Sequence, residues 1–216
     1  MWAHSRAPTH CRASVSKQQS APIISLFYLF ISQGRCPRTP RAFFKKLGQK
    51  LLFFGGGTMG IPKTNAMRIL EKEKISYEMH TYDASDGHID GAAVARKVGM
   101  VPAKVFKTLV TKGHSGNYFV CVLPVEHELN LKKAAKVFGE KSLEMIPVAQ
   151  INAVTGYIRG GCSPIGMKKN YRTVFDSSAQ AQETMVVSGG KIGFQIEAKP
   201  DDLLRACGGV YADVLA

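Results

Sequence analysis

From residue 59 onward the chain alternates apolar and polar positions in two distinguishable rhythms. "TNAMRILEKEK" (64–74) spaces Met67 and Leu70 on one face behind a capping Thr64 or Asn65, which predicts a helix. "SYEMHTY" (76–82) alternates as a strand does. "IDGAAVARKVG" (89–99) reads as a short helix with Asp90 near its start and Gly99 as its stop. "KVFKTLVTKG" (104–113) and "NYFVCVLPV" (117–125) are β-rich runs joined by the hairpin-like "KGHSGN". "NLKKAAKVFG" (130–139) predicts a helix capped by Asn130 and ended by Gly139. "SLEMI" then reads as a strand, and "PVAQINAVTG" (147–156) as a helix opened by Pro147 and stopped by Gly156. Strand patterns follow in "YRTVFD", "ETMVVSGG" and "KIGFQIE", the last two joined at Gly189-Gly190. "KPDDLLRACGG" is a helix with Pro200 and two aspartates in its first turn, which suits the helix dipole, and "VYADVL" is a last strand.

Helices and strands thus interleave irregularly, with several hairpin-length connections. That order argues against a doubly wound parallel sheet and for a mixed α/β domain over 59–216, with helices packed around the sheet.

The first 58 residues lack this patterning. They carry nine Lys/Arg and no Asp or Glu, so the net charge of +13 belongs mostly to them; the remaining 20 basic against 16 acidic residues leave +4. "APIISLFYLFI" (21–31) falls short of the about 20 apolar residues that span a bilayer. The head reads as a translated upstream sequence, with Met59 as the working start. "GGGT" immediately before that methionine implies a G-rich message, as a bacterial ribosome-binding site is. A secretory signal or an Arg- and Ser-rich transit peptide is the alternative. Either way residues 1–58 are expected to be poorly ordered and outside the fold.

The five cysteines include no C-x-x-C pair and the six histidines no ligand spacing. Neither a disulfide framework nor a metal site is expected, and a reducing, cytoplasmic compartment fits. The densest chemical signal is "GYIRGGCSPIGMKK" (156–169). It matches neither a P-loop nor a dinucleotide fingerprint. Gly160 and Gly161 would leave amides uncovered, Ser163 adds a hydroxyl, Pro164 stiffens the turn and Gly166 permits a second close approach. Such a loop is either an oxyanion or phosphate site or a tight structural turn. Lys107, on one face with Val105, is either a cation aimed inward or an edge-strand lysine in solvent. Asp176 ends a strand as a functional carboxylate or as a cap. His80 reads as an ordinary strand residue, and Cys162 as a loop-lining residue with no base to activate it. Lys168-Lys169, with Lys132-Lys133 and Lys136, form either a basic face for nucleic acid or a solvated surface.

In order along the body, "HTYD", "FKTLV", "LNLKKAAKVFG", "TGYIRGGCSPIGMKK" and "VSGGKIGFQIE" resemble the YbaK/EbsC editing-domain family. That family includes the Cys-tRNA(Pro) deacylases and the insertion domain of bacterial prolyl-tRNA synthetases. The resemblance runs from about Asn65 to Leu215 and leaves residues 1–58 untouched. It implies a mixed, largely antiparallel sheet in a distorted barrel with surrounding helices, and hydrolysis of the ester joining a wrong amino acid to the tRNA 3′ end. It assigns Lys107 as the essential lysine, with Tyr82 and Asp176 as further catalytic positions. Its substrate loop runs through Thr155, Gly156, Gly160, Gly161, Cys162, Ser163, Pro164, Ile165 and Gly166, with Cys162 standing where an aliphatic residue is expected. The resemblance also implies no cofactor, no metal, the acceptor end of mischarged proline tRNA as substrate, and a prolyl-tRNA synthetase as a further partner. Two alternatives remain from the sequence: a tRNA- or nucleotide-binding module without turnover, and a deacylase for another small amino acid such as alanine.

Overall fold

In β4 (Tyr118–Pro124) every residue after the first is buried, and a strand covered on both faces reads as a continuous apolar run. Alternation divides its side chains. Phe119, Cys121 and Leu123 pack against α3 (Leu131–Phe138) in one cluster, with Phe119 stacked on Phe138 at 4.5 Å. Val120 and Val122 join a second and larger cluster on the other face. β4 is therefore the wall between two cores, and the remaining elements are arranged about it.

The computed structural model describes residues 51–52 and 62–216. A five-stranded mixed sheet runs in the order β5 (Leu143–Met145), β3 (Phe106–Gly113), β4, β6 (Arg172–Asp176), β9 (Val210–Ala212). The β5–β3 and β3–β4 pairs are antiparallel, whereas β4–β6 and β6–β9 are parallel. A four-stranded antiparallel sheet runs β1 (Leu51–Leu52), β2 (Glu78–Thr81), β8 (Phe194–Ala198), β7 (Met185–Ser188). Met79, Met185, Val187 and Ile196 of this sheet meet Phe106, Val120 and Val122 of the other in the larger core. A parallel bridge between Val105 and Val186 ties the two sheets. The mixed α/β fold expected from the sequence holds, as two sheets joined at that bridge rather than a closed barrel.

The caps explain where the helices begin and stop. Thr64 caps α1 (Asn65–Lys72), Asp90 caps α2 (Gly91–Val98) and Asn130 caps α3, each accepting from an amide two or three residues on. α2, α3, α4 (Val148–Thr155) and α5 (Pro200–Cys207) all end at a left-handed glycine: Gly99, Gly139, Gly156 and Gly208. Two short 3₁₀ turns, Pro102–Lys104 and Ser177–Ala181, were not anticipated. Leu51–Leu52 pair with Met79 and Glu78, inside the head expected to lie outside the fold. The readings of residues 1–50 and 53–58, and of a start at Met59, lie outside the described residues. Among those described, no helix is long and apolar enough to cross a membrane.

Candidate active site

The glycine loop is fastened mainly by side chains, with the Gly161 amide donating to Ile158 O at 3.0 Å. After α4 stops at Gly156, Tyr157 turns inward, and its hydroxyl donates to the Ile165 carbonyl at 2.7 Å while lying 3.1 Å from the Gly166 carbonyl. Asn65, on α1, donates to the same Gly166 oxygen at 3.0 Å. Thr155 is a hinge pin: its hydroxyl donates to Ile151 O at 2.7 Å and accepts from the Tyr157 amide at 3.0 Å. Ile165, fully buried, anchors the loop in the larger core, and Pro164 is buried beside it. With the loop fastened this way, the amides of Gly160, Cys162, Ser163 and Gly166 meet no acceptor among the described residues. Unpaired donors are what a developing oxyanion requires, although Ser163 is itself fully buried and the Gly161 amide between them is taken by Ile158 O. The Ser163 hydroxyl accepts from the Ile165 amide at 3.3 Å and is wholly buried, so it braces the turn from within.

Tyr157 escaped the sequence reading, although an aromatic directly after a helix-stopping glycine is a position where a side chain folds back. Tyr157→Phe removes the hydroxyl and leaves the buried Ile165 carbonyl unpaired, at a cost of about 1–3 kcal/mol. The expected Tm loss is about 2–4 °C per kcal/mol for a domain of this size. Turnover should fall further than stability, and thermal unfolding beside an ester-cleavage assay separates the two.

Three of the loop glycines are close approaches, and a Cβ on Gly166 would stand 2.7 Å from Asn65 Nδ2. A Cβ on Gly161 would stand 3.0 Å from the Ile192 amide nitrogen and 3.2 Å from the Lys191 carbonyl carbon, so the loop lies directly on the β7–β8 turn. Gly160, at φ +81°, faces the Ile89 side chain.

Lys107 sits near the start of β3, a quarter exposed. Its ammonium is 3.4 Å from Val125 O and 3.6 Å from Glu128, whose own side chain is 84% exposed. Alternation puts Lys107 on the face shared with Leu109, toward α3, whereas Val110 on the opposite face packs with Cys162. Lys107 and the loop therefore lie on opposite faces of the strand. A chain of contacts links them: Val125 meets the lysine through its carbonyl and crowds Gly91 with its side chain, and Ile89, two residues earlier, covers Gly160. No hydrogen bond joins Lys107 to the loop.

Tyr82 stands beside the β7–β8 turn on which the loop packs. Its amide donates to Gly193 O at 3.0 Å, one residue beyond the Ile192 that Gly161 touches. The ring is 7% exposed, and its hydroxyl is buried with no partner among the described residues. Lys97 lies 5.7 Å from the ring centre and also binds the carbonyls of Asp83 and His88, which fixes the 83–88 segment beside the ring.

Asp176 has both oxygens engaged by backbone amides. It is 1% exposed, one oxygen caps the following 3₁₀ turn at Ser178 N (2.9 Å), and the other accepts from Val214 N (3.0 Å). Both oxygens are occupied in tying the C-terminal segment to β6, so the cap alternative describes it. Cys162 has its thiol pushed up to about 11 by burial, which the Thr155 hydroxyl only partly offsets. It is neutral near pH 7 and lines the loop without serving as a nucleophile.

His80, read as an ordinary strand residue, proves to be part of a partly buried cluster. β2–β8 pairing sets Glu78 opposite Glu197, and His80 Nε2 lies 2.8 Å from Glu197. Burial works to raise Glu197, but the Thr184 hydroxyl (2.6 Å) and His80 outweigh it and hold the carboxyl below its usual range. One donor atom from each of the three residues lies within 4.8 Å of the others. Sequence spacing could not reveal this group, because Glu197 is 117 residues from His80.

Comparison with known proteins adds to this geometry. The aminoacyl-tRNA editing domain matches residues 90–206, a span that holds Lys107 and the whole glycine loop but begins after Tyr82. An Enterococcus faecalis protein provisionally named Cys-tRNA(Pro)/Cys-tRNA(Cys) deacylase EbsC is 43% identical over 152 residues, 70% of this chain and 93% of its own length. The proline–tRNA ligase of Thermosipho melanesiensis is 31% identical over 98 residues, 45% of this chain but only 17% of the ligase. Among solved structures, a candidate trans-editing enzyme for prolyl tRNA synthetase superposes with a TM-score of 0.62 at 22% identity, covering 72% of this chain and 99% of that one. The protein APE2540 superposes at 0.65 and 21% identity, covering 71% and 100%. At these identities the two structures speak for the fold.

Proposed function

The chain belongs to the aminoacyl-tRNA editing domain family, and from that premise we propose that it removes cysteine from mischarged proline tRNA. Deacylation of mischarged tRNA is the activity its relatives support; cysteine as the cargo and the roles of individual residues are our reading. The observation that carries it is the braced loop, whose unpaired amides at Gly160, Cys162, Ser163 and Gly166 are fixed before any substrate arrives.

An aminoacyl ester is already activated, so positioning and charge stabilisation do most of the work. The cysteine's own thiolate attacks its carbonyl carbon. A C–S bond forms, negative charge gathers on the carbonyl oxygen under the loop amides, and the C–O bond to the ribose breaks. The ribose oxygen leaves and takes up a proton, which gives tRNA with a free hydroxyl and a cysteine thiolactone that water then opens. Lys107 orients the terminal ribose or the carbonyl. The unpaired Tyr82 hydroxyl offers one further hydrogen bond to the same end of the substrate. No step calls on a cofactor, and none uses Asp176 or Cys162. A tRNA substrate is consistent with a cytoplasmic protein, where a prolyl-tRNA synthetase would supply the mischarged product.

The test is a deacylation panel of Cys-, Ala- and Pro-tRNA(Pro) with Cys-tRNA(Cys), extended by 2-aminobutyryl-tRNA(Pro), in which a methyl replaces the thiol. We expect Cys-tRNA(Pro) to be cleaved at least about 10²-fold faster than the methyl isostere, since the isostere lacks the attacking group. Equal rates would eliminate the substrate-thiol step and favour a pocket that selects small side chains by size.

A further inference from the structure

A second feature lies away from the loop. At the far end of the β3–β4 hairpin, five residues along β4 from the partner of Lys107, a cleft of about 770 Å³ opens. At about 3.3 Å per residue that is about 16 Å from the lysine. Tyr118, Tyr171, Lys168, Lys169, Arg172 and Glu140 line it. The two tyrosine rings meet edge to face, with centres 6.2 Å apart.

Two of the three cations have structural duties. Lys168 donates to the carbonyls of Asn152 and Ala153 at the C-terminal end of α4. Arg172 donates to Phe138 O at 2.7 Å, at the end of α3, and lies over the Phe119 and Phe138 rings. Each offsets the negative end of a helix, about half a charge. The Glu140 carboxylate is turned to the hairpin, where it accepts from the Ser115 hydroxyl (2.6 Å) and amide (3.1 Å). Lys169 is exposed and has no partner among the described residues. Three cations against the Glu140 carboxylate and two helix ends of about half a charge each leave a surplus of about one, and Lys169 is the cation without a partner, beside aromatic faces three residues after the glycine loop ends.

We propose that this cleft holds the RNA backbone of the substrate's acceptor arm, with Lys169 on a phosphate and the tyrosines against a sugar or base. The inference rests on the tRNA-deacylase reading. Its chemistry is that of single-stranded RNA sites, where a cationic groove adjoins aromatic side chains. The run 166–172 joins the cleft to the loop along the chain. A single surplus cation makes the contact modest, in keeping with a body whose net charge is only +4.

The test uses the full chain, labelled uncharged tRNA(Pro) and anisotropy at two salt concentrations. Lys169→Glu is expected to weaken binding about 10-fold and to reduce the salt slope by about 0.7, the value for one single-strand phosphate. Lys132→Glu makes the same charge change on exposed α3 outside the cleft and should weaken binding much less. Cleavage of a cysteinyl ester of adenosine, too short to reach the cleft, should be unchanged in Lys169→Glu. Three results would each overturn the proposal: no tRNA binding by the wild type, equal losses in the two variants, or loss of adenosine-ester cleavage in Lys169→Glu. A protein that binds tRNA through Lys169 yet cleaves neither ester would instead sink the deacylase reading and leave this surface standing.

Discussion

Lys107→Met is expected to lower kcat/KM for deacylation of Cys-tRNA(Pro) by about 10²–10³-fold, the usual loss when one preorganised charge-stabilising group is removed. Methionine is the sharper replacement than alanine, because it keeps an apolar stem along the strand end and removes only the ammonium. Folding should barely register the change. The lysine's ties are a 3.4 Å contact to the Val125 carbonyl and a 3.6 Å pair with an exposed Glu128. Exposed pairs of this kind contribute at most about 1 kcal/mol, which bounds the Tm shift at about 4 °C. Radiolabelled cysteine release from charged tRNA, followed beside thermal unfolding, measures both quantities. A Lys107→Met protein of wild-type rate would remove the cation from the mechanism and leave the loop amides to act alone.

The local elements were legible because their signals are local. Asp90 and Asn130 cap the helices they precede, and left-handed glycines stop four helices where the pattern ends. Thr64 and Asn65 were equivalent as caps in the sequence; the structure gives the cap to Thr64 and frees Asn65 to grip Gly166 O. Pairing was not legible in the same way. That β6 lies parallel to β4 and β9 depends on contacts across more than thirty residues, and no periodicity encodes a partner. The site was legible by half for the same reason. The loop carries its own glycines, so it announces itself. The packing of Gly161 on the β7–β8 turn, the Tyr157 brace and the occupied oxygens of Asp176 belong to tertiary contacts. Asp176 shows the cost of reading a strand-end carboxylate without its neighbours: a functional carboxylate and a cap look alike until the Ser178 and Val214 amides are in place.

Gly161→Val is the second large effect, and it tests the loop rather than the lysine. Gly161 does not adopt a left-handed conformation, so backbone strain is not the reason for glycine here. The reason is proximity. A Cβ would sit 3.0 Å from Ile192 N and 3.2 Å from Lys191 C, and both obstacles are backbone, which cannot rotate aside as a side chain can. Valine adds two further carbons at that contact, so the loop and the β7–β8 turn must separate. Overpacking of this kind costs about 1–3 kcal/mol, which a domain of ordinary stability survives. Catalysis should not survive it as well. The amides of Cys162 and Ser163 follow Gly161 directly, and a displacement of about 1 Å in such donors costs about 10²-fold in rate. Gly160→Ala makes a useful contrast, since its Cβ meets the end of the flexible Ile89 side chain, though at φ +81° it also carries backbone strain. Deacylation kinetics on both variants, with near-ultraviolet circular dichroism to establish native packing, separate the readings. If folded Gly161→Val cleaves Cys-tRNA(Pro) at the wild-type rate, the amides after it do not hold the oxyanion, and charge stabilisation must come from Lys107 and Tyr82.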